Sequence, residues 1–224
     1  MRLSFLFILF SISLGFSQES TLNTKELDSL YREDQFYVTA NYCVLTNKST
    51  GLTQNKISLG FNGGFLRDFP LNKNRNIAIA PGIGYSFKNY HNSLLIAQDN
   101  GVISYGEVLE SNSKNYFRLQ HLEFPLEIRW RSSTPETHKF WRVYAGFKMS
   151  YLLTSRSYYS SVNQTYNIRN NPDFKKVTYS SYLSLGWNTW NINVNFGLTP
   201  LIESATTNLN QIGFIDMGLI FYIL

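Results

Sequence analysis

Apolar and polar residues alternate along several stretches of the chain, most clearly over residues 190–199. The apolar positions of that stretch are Trp190, Ile192, Val194, Phe196 and Leu198. A period of two predicts a strand with one apolar and one polar face. The polar face carries Asn, Gly and Thr, and the apolar faces of such stretches are rich in aromatic residues. This pattern indicates strands with lipid on the outside and a polar interior.

Eight stretches of this kind are predicted, over residues 35–46, 56–69, 76–88, 116–131, 139–155, 177–187, 190–200 and 210–224. The connections alternate between short turns and longer loops, of which residues 89–115 and 156–176 are the longest. Short periplasmic turns and long external loops are typical of outer-membrane barrels. The predicted fold is therefore all-β: an eight-stranded antiparallel up-and-down transmembrane β-barrel, located in the outer membrane.

A secreted lipocalin-like or sandwich protein is the soluble alternative. Its inward face would be the apolar one, and its outward face would be polar. In the fourth, fifth and seventh stretches the polar face lacks the large apolar residues that a dry core needs. The membrane barrel is therefore favoured. In the fourth stretch Phe117 and Leu119 have the opposite parity to the residues that follow, so we expect a bulge, or the end of the membrane zone, near Gln120.

The N-terminus has the features of a signal peptide. Arg2 precedes an apolar run over residues 3–14, and the small residues Gly15 and Ser17 predict cleavage before Gln18. The run is shorter than the roughly 20 residues of a membrane-spanning helix. Since the residue directly after the predicted cleavage point is Gln18 and not Cys, a lipid anchor is not expected. We predict three parts: a signal peptide (1–17), a polar periplasmic segment (18–34) and the barrel (35–224).

Composition removes several classes of function. Cys43 is the only cysteine, which excludes a disulfide within the chain, and its parity predicts a small buried residue facing inward. The formal charge of +5 is spread along the chain, so no nucleic-acid partner is expected. His121 and His138 have no second ligand at metal-binding spacing, so we expect no metal and no cofactor. The expected partner is outer-membrane lipid, around a monomeric barrel.

Charged residues with inward parity form a predicted polar network in the lumen. Because an eight-stranded barrel has no open pore, buried charges there must be paired. With a turn centred near Pro135, the expected pairs on the hairpin of the fourth and fifth strands are Glu123 roughly opposite Lys148 and Glu127 diagonal to Arg142. A structural network is favoured over an ion path or a ligand site. Its predicted members are Glu123, Glu127, Arg129, Arg131, Arg142, Lys148 and Asp216.

The predicted external loops contain the other candidates. His91, Ser93 and Asp99 share one loop and could serve a lipid-modifying enzyme, but no spacing places a nucleophile beside its base. We therefore expect no enzymatic activity. Residues 155–166 are rich in Tyr, Asn and Ser, a composition that suits either protein contact or an ordinary solvated loop.

Residues 121–131, with sequence HLEFPLEIRWR, resemble the PorT-like outer-membrane β-barrel family at the start of its fourth strand. The matching motif residues are Glu123, Pro125 and Leu126. Residues 139–148 and 196–200 are similar to the family's fifth strand and to a recurrent ending of its seventh. Pro125 also lacks a ladder donor, so it predicts a bulge or a locally unpaired position. Residues 218–224 look like a C-terminal assembly signal, although Leu224 stands where many barrels have Phe or Tyr.

The resemblance implies an outer-membrane protein of a bacterium with type IX secretion. It suggests a non-enzymatic accessory component of that system, with other secretion proteins as partners. The alternative is a small structural or surface-binding barrel without a secretion role.

Overall fold

The structure is a computed structural model that describes residues 34–48, 52–54, 56–108, 113–132, 141–203 and 212–223. The strands in these ranges belong to one compact unit, Tyr31–Leu224. They are β1 Gln35–Thr46, β2 Leu59–Leu66, β3 Phe69–Pro70, β4 Ile77–His91, β5 Leu94–Asp99, β6 Val102–Glu107, β7 Lys114–Arg131, β8 Trp141–Ser160, β9 Thr165–Arg169, β10 Val177–Trp187, β11 Trp190–Gly197 and β12 Gly213–Ile223. No helix that is long and apolar enough to cross a membrane occurs among the described residues.

Eight of the described strands close into an antiparallel barrel in the order β1-β2-β4-β7-β8-β10-β11-β12. Closure is made by β1 and β12, which pair from Phe36–Ile223 to Thr46–Gly213. A closed barrel satisfies its backbone groups between strands and leaves no free edge in lipid. The predicted eight-stranded fold is confirmed. The predicted signal peptide, nearly all of the periplasmic segment, and Leu224 lie outside the described residues.

Strand bounds differ from the prediction where the chain leaves the membrane zone. β1 and β10 have the predicted bounds, whereas the second stretch is two strands, β2 and β3, because the chain turns inward at Asp68. β4, β7 and β8 continue beyond the predicted ends. The predicted long loops are therefore partly regular: β5 and β6 form a hairpin, residues 156–160 belong to β8, and β9 pairs with β8.

Large apolar side chains cover the outer surface of the barrel and form its lipid-facing belt. Examples that are more than two-fifths exposed are Phe36, Val38, Phe61, Ile83, Leu126, Ile128, Phe147, Leu183 and Ile192. The chain's four tryptophans, Trp130, Trp141, Trp187 and Trp190, all point outward near the short turns. We call this the turn end, and the opposite end the loop end, where Tyr42, Tyr85 and Tyr151 are exposed. Aromatic residues at both edges are typical of membrane barrels.

The pairing of β7 with β8 shifts by one residue between Gln120 and His121, as expected near Gln120. The extra residue is Leu153 of β8, because Gln120 pairs with Thr154 and His121 with Leu152. Alternation on β7 itself is unbroken, so Phe117 and Leu119 stay on the inner face and are buried. The change in parity along the sequence therefore marks a change in the interior, from polar to apolar.

Pro125 faces the interior within a gap in the ladder between β4 and β7. Pro81 pairs with Leu126 and Gly84 with Glu123, but no pair joins the two residues between them on either strand. The register is the same on both sides, so the position is locally unpaired and is not a bulge. The missing N–H of proline explains why the ladder is interrupted here.

Candidate functional site

A buried carboxylate, that of Asp68, holds two arginines near the turn end of the lumen. Its Oδ1 lies 3.1 Å from Nη1 of Arg129, and its Oδ2 lies 2.9 Å from Nη2 of Arg131. Asp68 follows β2, and its backbone N–H donates to the carboxylate of Asp34 at 2.9 Å. Since the arginines stand two residues apart on β7, their side chains share the inner face, and one acid can bridge them.

Glu127 lies one layer further into the barrel. Nε of Arg129 donates to Oε2 of Glu127 at 2.8 Å, and the hydroxyl of Tyr182 donates to Oε1 at 2.8 Å. The predicted pairing of Glu127 with Arg142 is wrong. Arg142 lies opposite Arg131 in the register, close to the turn end, and donates to the backbone carbonyl of Asn188.

Two further ion pairs lie nearer the loop end. Nζ of Lys148 is 3.0 Å from Oε2 of Glu123, to which Nδ2 of Asn62 also donates at 3.1 Å. Nζ of Lys88 is 2.7 Å from Oδ2 of Asp216. Lys148 faces Pro125 in the register, so its contact with Glu123 is diagonal and not directly opposite.

The negative and positive charges of these buried groups are equal in number. Among the residues that the structure describes, the buried acids are Asp68, Glu123, Glu127 and Asp216, and the buried bases are Lys88, Arg129, Arg131 and Lys148, each at most 6% exposed. Asp68 and Lys88 were not in the predicted network, although both share the inward parity of their predicted strands. Because removal of one partner leaves a buried charge uncompensated, the eight groups depend on each other for stability.

Above the charges, toward the loop end, the interior becomes apolar. We call this cluster the apolar cap. It consists of Cys43, Leu45, Tyr90, Leu94, Ile96, Phe117, Leu119, Leu152, Ile168, Phe174, Leu201, Ile202, Ile212 and Phe214. Its members come from barrel strands, from β5 and β9, and from the segments before β10 and β12. The cap therefore packs the loop-end segments onto the barrel as a soluble core would.

Hydrogen bonds fix the loop-end segments further. The hydroxyl of Tyr105 on β6 donates to Oδ2 of Asp173 at 2.6 Å and accepts from Nδ2 of Asn171 at 3.0 Å. Burial and the hydrogen bond to Asp173 raise the pKa of Tyr105. Nδ2 of Asn115 donates to the carbonyls of Asn92 and Leu94. The hairpin β5–β6 is thus tied to β7 and to the segment before β10.

The candidate enzyme residues do not form a catalytic set. Oγ of Ser93 accepts from the backbone of Thr53 at 2.8 Å, and Nε2 of His91 contacts Nδ2 of Asn89 at 2.9 Å. Asp99 is exposed at the end of β5. No hydrogen bond joins these three residues in the described structure, nor do three His, Cys, Asp or Glu side chains cluster there. His121 is buried in the lumen, and His138 lies outside the described residues.

Comparison with known families decides the class of protein. The family model of the outer membrane protein beta-barrel domain matches residues 8–203, most of the chain. The chain belongs to this family. It is an outer-membrane β-barrel protein, in agreement with the closed barrel and its lipid-facing belt.

Solved structures of Ail, the attachment invasion locus protein of Yersinia pestis, are similar to this outer-membrane barrel. One is 12% identical and covers 87% of this chain and 100% of Ail, with a TM-score of 0.44. Another, in complex with the heparin analogue sucrose octasulfate, is 11% identical and covers 86% of this chain and 100% of Ail, with a TM-score of 0.38. No curated protein matches the chain.

The outer face of this outer-membrane barrel carries an aromatic ladder at the loop end: His91, Tyr116 and Tyr158. The three residues are directly paired across β4, β7 and β8. Ring centroids are 5.5 Å apart between His91 and Tyr116 and 5.3 Å apart between Tyr116 and Tyr158. All three rings are partly exposed, and exposed Asn167 of β9 continues the row. The ladder is therefore an accessible row of aromatic rings on hydrogen-bonded strands.

Proposed function

We propose that this protein is a non-enzymatic surface-binding barrel that does not conduct ions. Its loop end faces the outside of the cell, and its aromatic ladder contacts a protein partner there. The short turns at the opposite end support this orientation, because outer-membrane barrels keep short turns in the periplasm. The role is to hold a binding surface at a fixed height above the membrane.

The filled interior supports a role without conduction. Small eight-stranded barrels have room only for their own side chains. Here the buried ion pairs and the apolar cap occupy successive layers of the lumen. An ion would have to displace paired charges and then pass an apolar layer, both of which are unfavourable.

The aromatic ladder is the observation that carries the proposal. Tyr and His side chains at protein contacts supply large contact areas with few rotatable bonds. In this barrel their backbone is held by strand pairing, and the cap beneath it is packed. A partner would therefore bind without first ordering a loop, which reduces the entropic cost of association.

Site-specific photo-crosslinking in intact host cells tests this function. A photoreactive phenylalanine analogue replaces Tyr158 in one strain and Val162, which is 97% exposed beyond the end of β8, in a control strain. We expect a discrete protein adduct at position 158 that disappears when Tyr116→Ala is added. The proposal is wrong if position 158 gives no adduct beyond those at position 162.

An accessory role in type IX protein secretion is the second candidate. It is favoured by the resemblance of residues 121–131, with Glu123, Pro125 and Leu126, to the PorT-like family. On this hypothesis other secretion proteins are the partners. In the structure these three residues lie in or on the barrel wall beside the unpaired gap, where they shape the scaffold.

Deletion of the gene in its host distinguishes the candidates. Proteins that carry the C-terminal signal of type IX secretion are followed in the periplasm and at the surface. Their accumulation in the periplasm, reversed by the wild-type gene, would support the secretion role. Unchanged export in the deletion strain, with the barrel detected in the outer membrane of the parent strain, would leave the surface-binding role as the better account.

A further inference from the structure

Three arginines lie side by side on the outward face of the sheet, directly below the aromatic ladder. We call them the arginine row. Arg118 of β7 is paired with Arg156 of β8, and Arg156 is paired with Arg169 of β9. Their neighbours along each strand, Phe117 and Ser155 among them, point into the interior. The three guanidinium groups therefore share one outer surface.

The arginine row has no acidic partner within the described structure. Like charges directly opposite each other in a sheet are destabilising, so such a row is unfavourable on its own. Nε of Arg118 donates to Oδ1 of Asn89 at 3.4 Å, and Nε of Arg156 donates to Oδ1 of Asn167 at 2.9 Å. The terminal amino groups of both arginines make no hydrogen bond to any described residue. They are available to the oxygen atoms of an anion.

A groove connects the arginine row with the lipid-facing belt. It has a volume of about 180 Å³ and is lined by Phe87, Arg118, Gln120, Thr154, Ser155, Arg156 and Arg169. Below it, toward the turn end, Tyr85, Leu122 and Tyr151 form a paired outward row. The groove thus has an apolar lower edge and a cationic upper edge on the surface that faces lipid.

The height of the row matches the level of lipid headgroups. Arg118 is twelve residues from Trp130 along β7. A strand rises about 3.3 Å per residue and is tilted by roughly 40° in such barrels, which gives about 30 Å along the membrane normal. The apolar band of an outer-membrane barrel is about 25 Å tall. With Trp130 at one edge of the band, the arginine row lies just beyond the other edge.

We infer that the arginine row binds the phosphate group of an outer-leaflet lipid whose acyl chains lie against the belt. Guanidinium groups form paired hydrogen bonds to phosphate oxygens, and three of them in a row offset its charge. A lipid phosphate is favoured over a soluble anion because the groove opens sideways, toward lipid, and continues into the apolar surface. This inference concerns lipid and does not depend on the protein partner proposed for the aromatic ladder.

Native mass spectrometry of the purified full-length barrel tests the inference. The probe is diphosphorylated lipid A, compared with dephosphorylated lipid A and with inorganic phosphate. The test variant is R118Q/R156Q/R169Q. The matched control, K48Q/K73Q/K114Q, removes the same charge from exposed lysines outside the row. Migration of unheated samples in gels verifies folding, and R169Q alone, which changes one exposed side chain, is used if the triple variant does not fold.

We expect the wild type and the control to retain diphosphorylated lipid A, and the triple variant to bind it at least about tenfold more weakly. R169Q should show a smaller loss in the same direction. Equal retention by the wild type and by the folded arginine variants would overturn the inference. Binding of inorganic phosphate as tight as that of the lipid would show a soluble-anion site and would overturn the assignment to lipid.

Discussion

Lys88 and Asp216 form an ion pair of 2.7 Å across the lumen, although β1 and β2 separate their strands in the wall of the barrel. Both side chains are almost completely buried. Oδ2 of Asp216 also accepts from Nδ2 of Asn195 at 3.2 Å. The pair therefore joins the two sides of the closing strand β1 and should be needed for closure.

Replacement Asp216→Asn should destabilise the barrel by about 3–5 kcal/mol, because it leaves the ammonium group of Lys88 buried without its counter-charge. The free energy of unfolding in urea, measured with the barrel in lipid vesicles, checks this value. Glu203→Gln is the control, since its pair with Lys175 is exposed and should contribute less than about 1 kcal/mol. Equal effects of the two replacements would contradict the role given to the lumen pair.

Gly146 lets the ring of Tyr182 cross the interior. A Cβ at position 146 would overlap the ring, whose hydroxyl donates to Glu127. Gly146→Ala should therefore cost about 1–3 kcal/mol of unfolding free energy, measured in the same way. Gly106→Ala is a suitable control, because the nearest atom to its new Cβ would be 3.9 Å away. A Gly146→Ala barrel as stable as the Gly106→Ala barrel would show that the ring moves freely.

Phe174 should hold the loop-end segments on the barrel. It is 1% exposed, lies 5.2 Å from the ring of Phe117 and forms a bridge with Ile202. Phe174→Ala should lower the free energy of local unfolding of the loop-end segments by about 3–5 kcal/mol. It should therefore make these segments sensitive to protease added to intact cells. Phe61→Ala, which removes an exposed belt residue, should leave them resistant. Resistance of both variants would mean that the cap is held without Phe174.

The fold followed from the alternation of residues because lipid imposes one periodicity on the whole belt. The same alternation contained Asp68 and Lys88 on the inward face, but their partners could not be identified from it. Asp68 contacts Arg129 from a bend after β2, and Lys88 contacts Asp216 from three strands away. Contacts across a lumen depend on strand tilt and side-chain length, which a pattern along one strand does not contain.

The apolar cap was harder to predict for a related reason. Phe117 and Leu119 share the parity of Glu123, so only the chemistry of the inner face changes along β7. Beyond the membrane the solvent outside is water, and the usual arrangement of a soluble protein returns. The sequence indicated the place of this change near Gln120, but not the segments from β5 and β9 that pack there.

Tyr105 should remain neutral above the ordinary tyrosine value of about 10, because burial and the bond to Asp173 raise its pKa. The raised folded pKa means that its stabilising effect is complete below about pH 10 and is lost as the pH rises through the folded value. The difference in tyrosinate absorbance between the wild type and Tyr105→Phe, followed against pH, isolates this residue. A midpoint near 10 in the folded protein, as expected in urea, would contradict the prediction.

The single extra residue, Leu153, lies where the interior beside β8 changes from the ion pairs to the apolar cap. Up to Leu152 the even-numbered side chains of β8 point inward; beyond Leu153 the odd-numbered ones do, from Ser155 to Tyr159. The extra residue Leu153 thus changes which alternate residues of β8 face the interior. If β8 kept every residue but continued past Leu152 without the register shift, Arg156 would turn toward the apolar cap and Tyr159 toward the outside. The position of one residue therefore determines which surface the outer half of β8 presents to the surroundings of the cell.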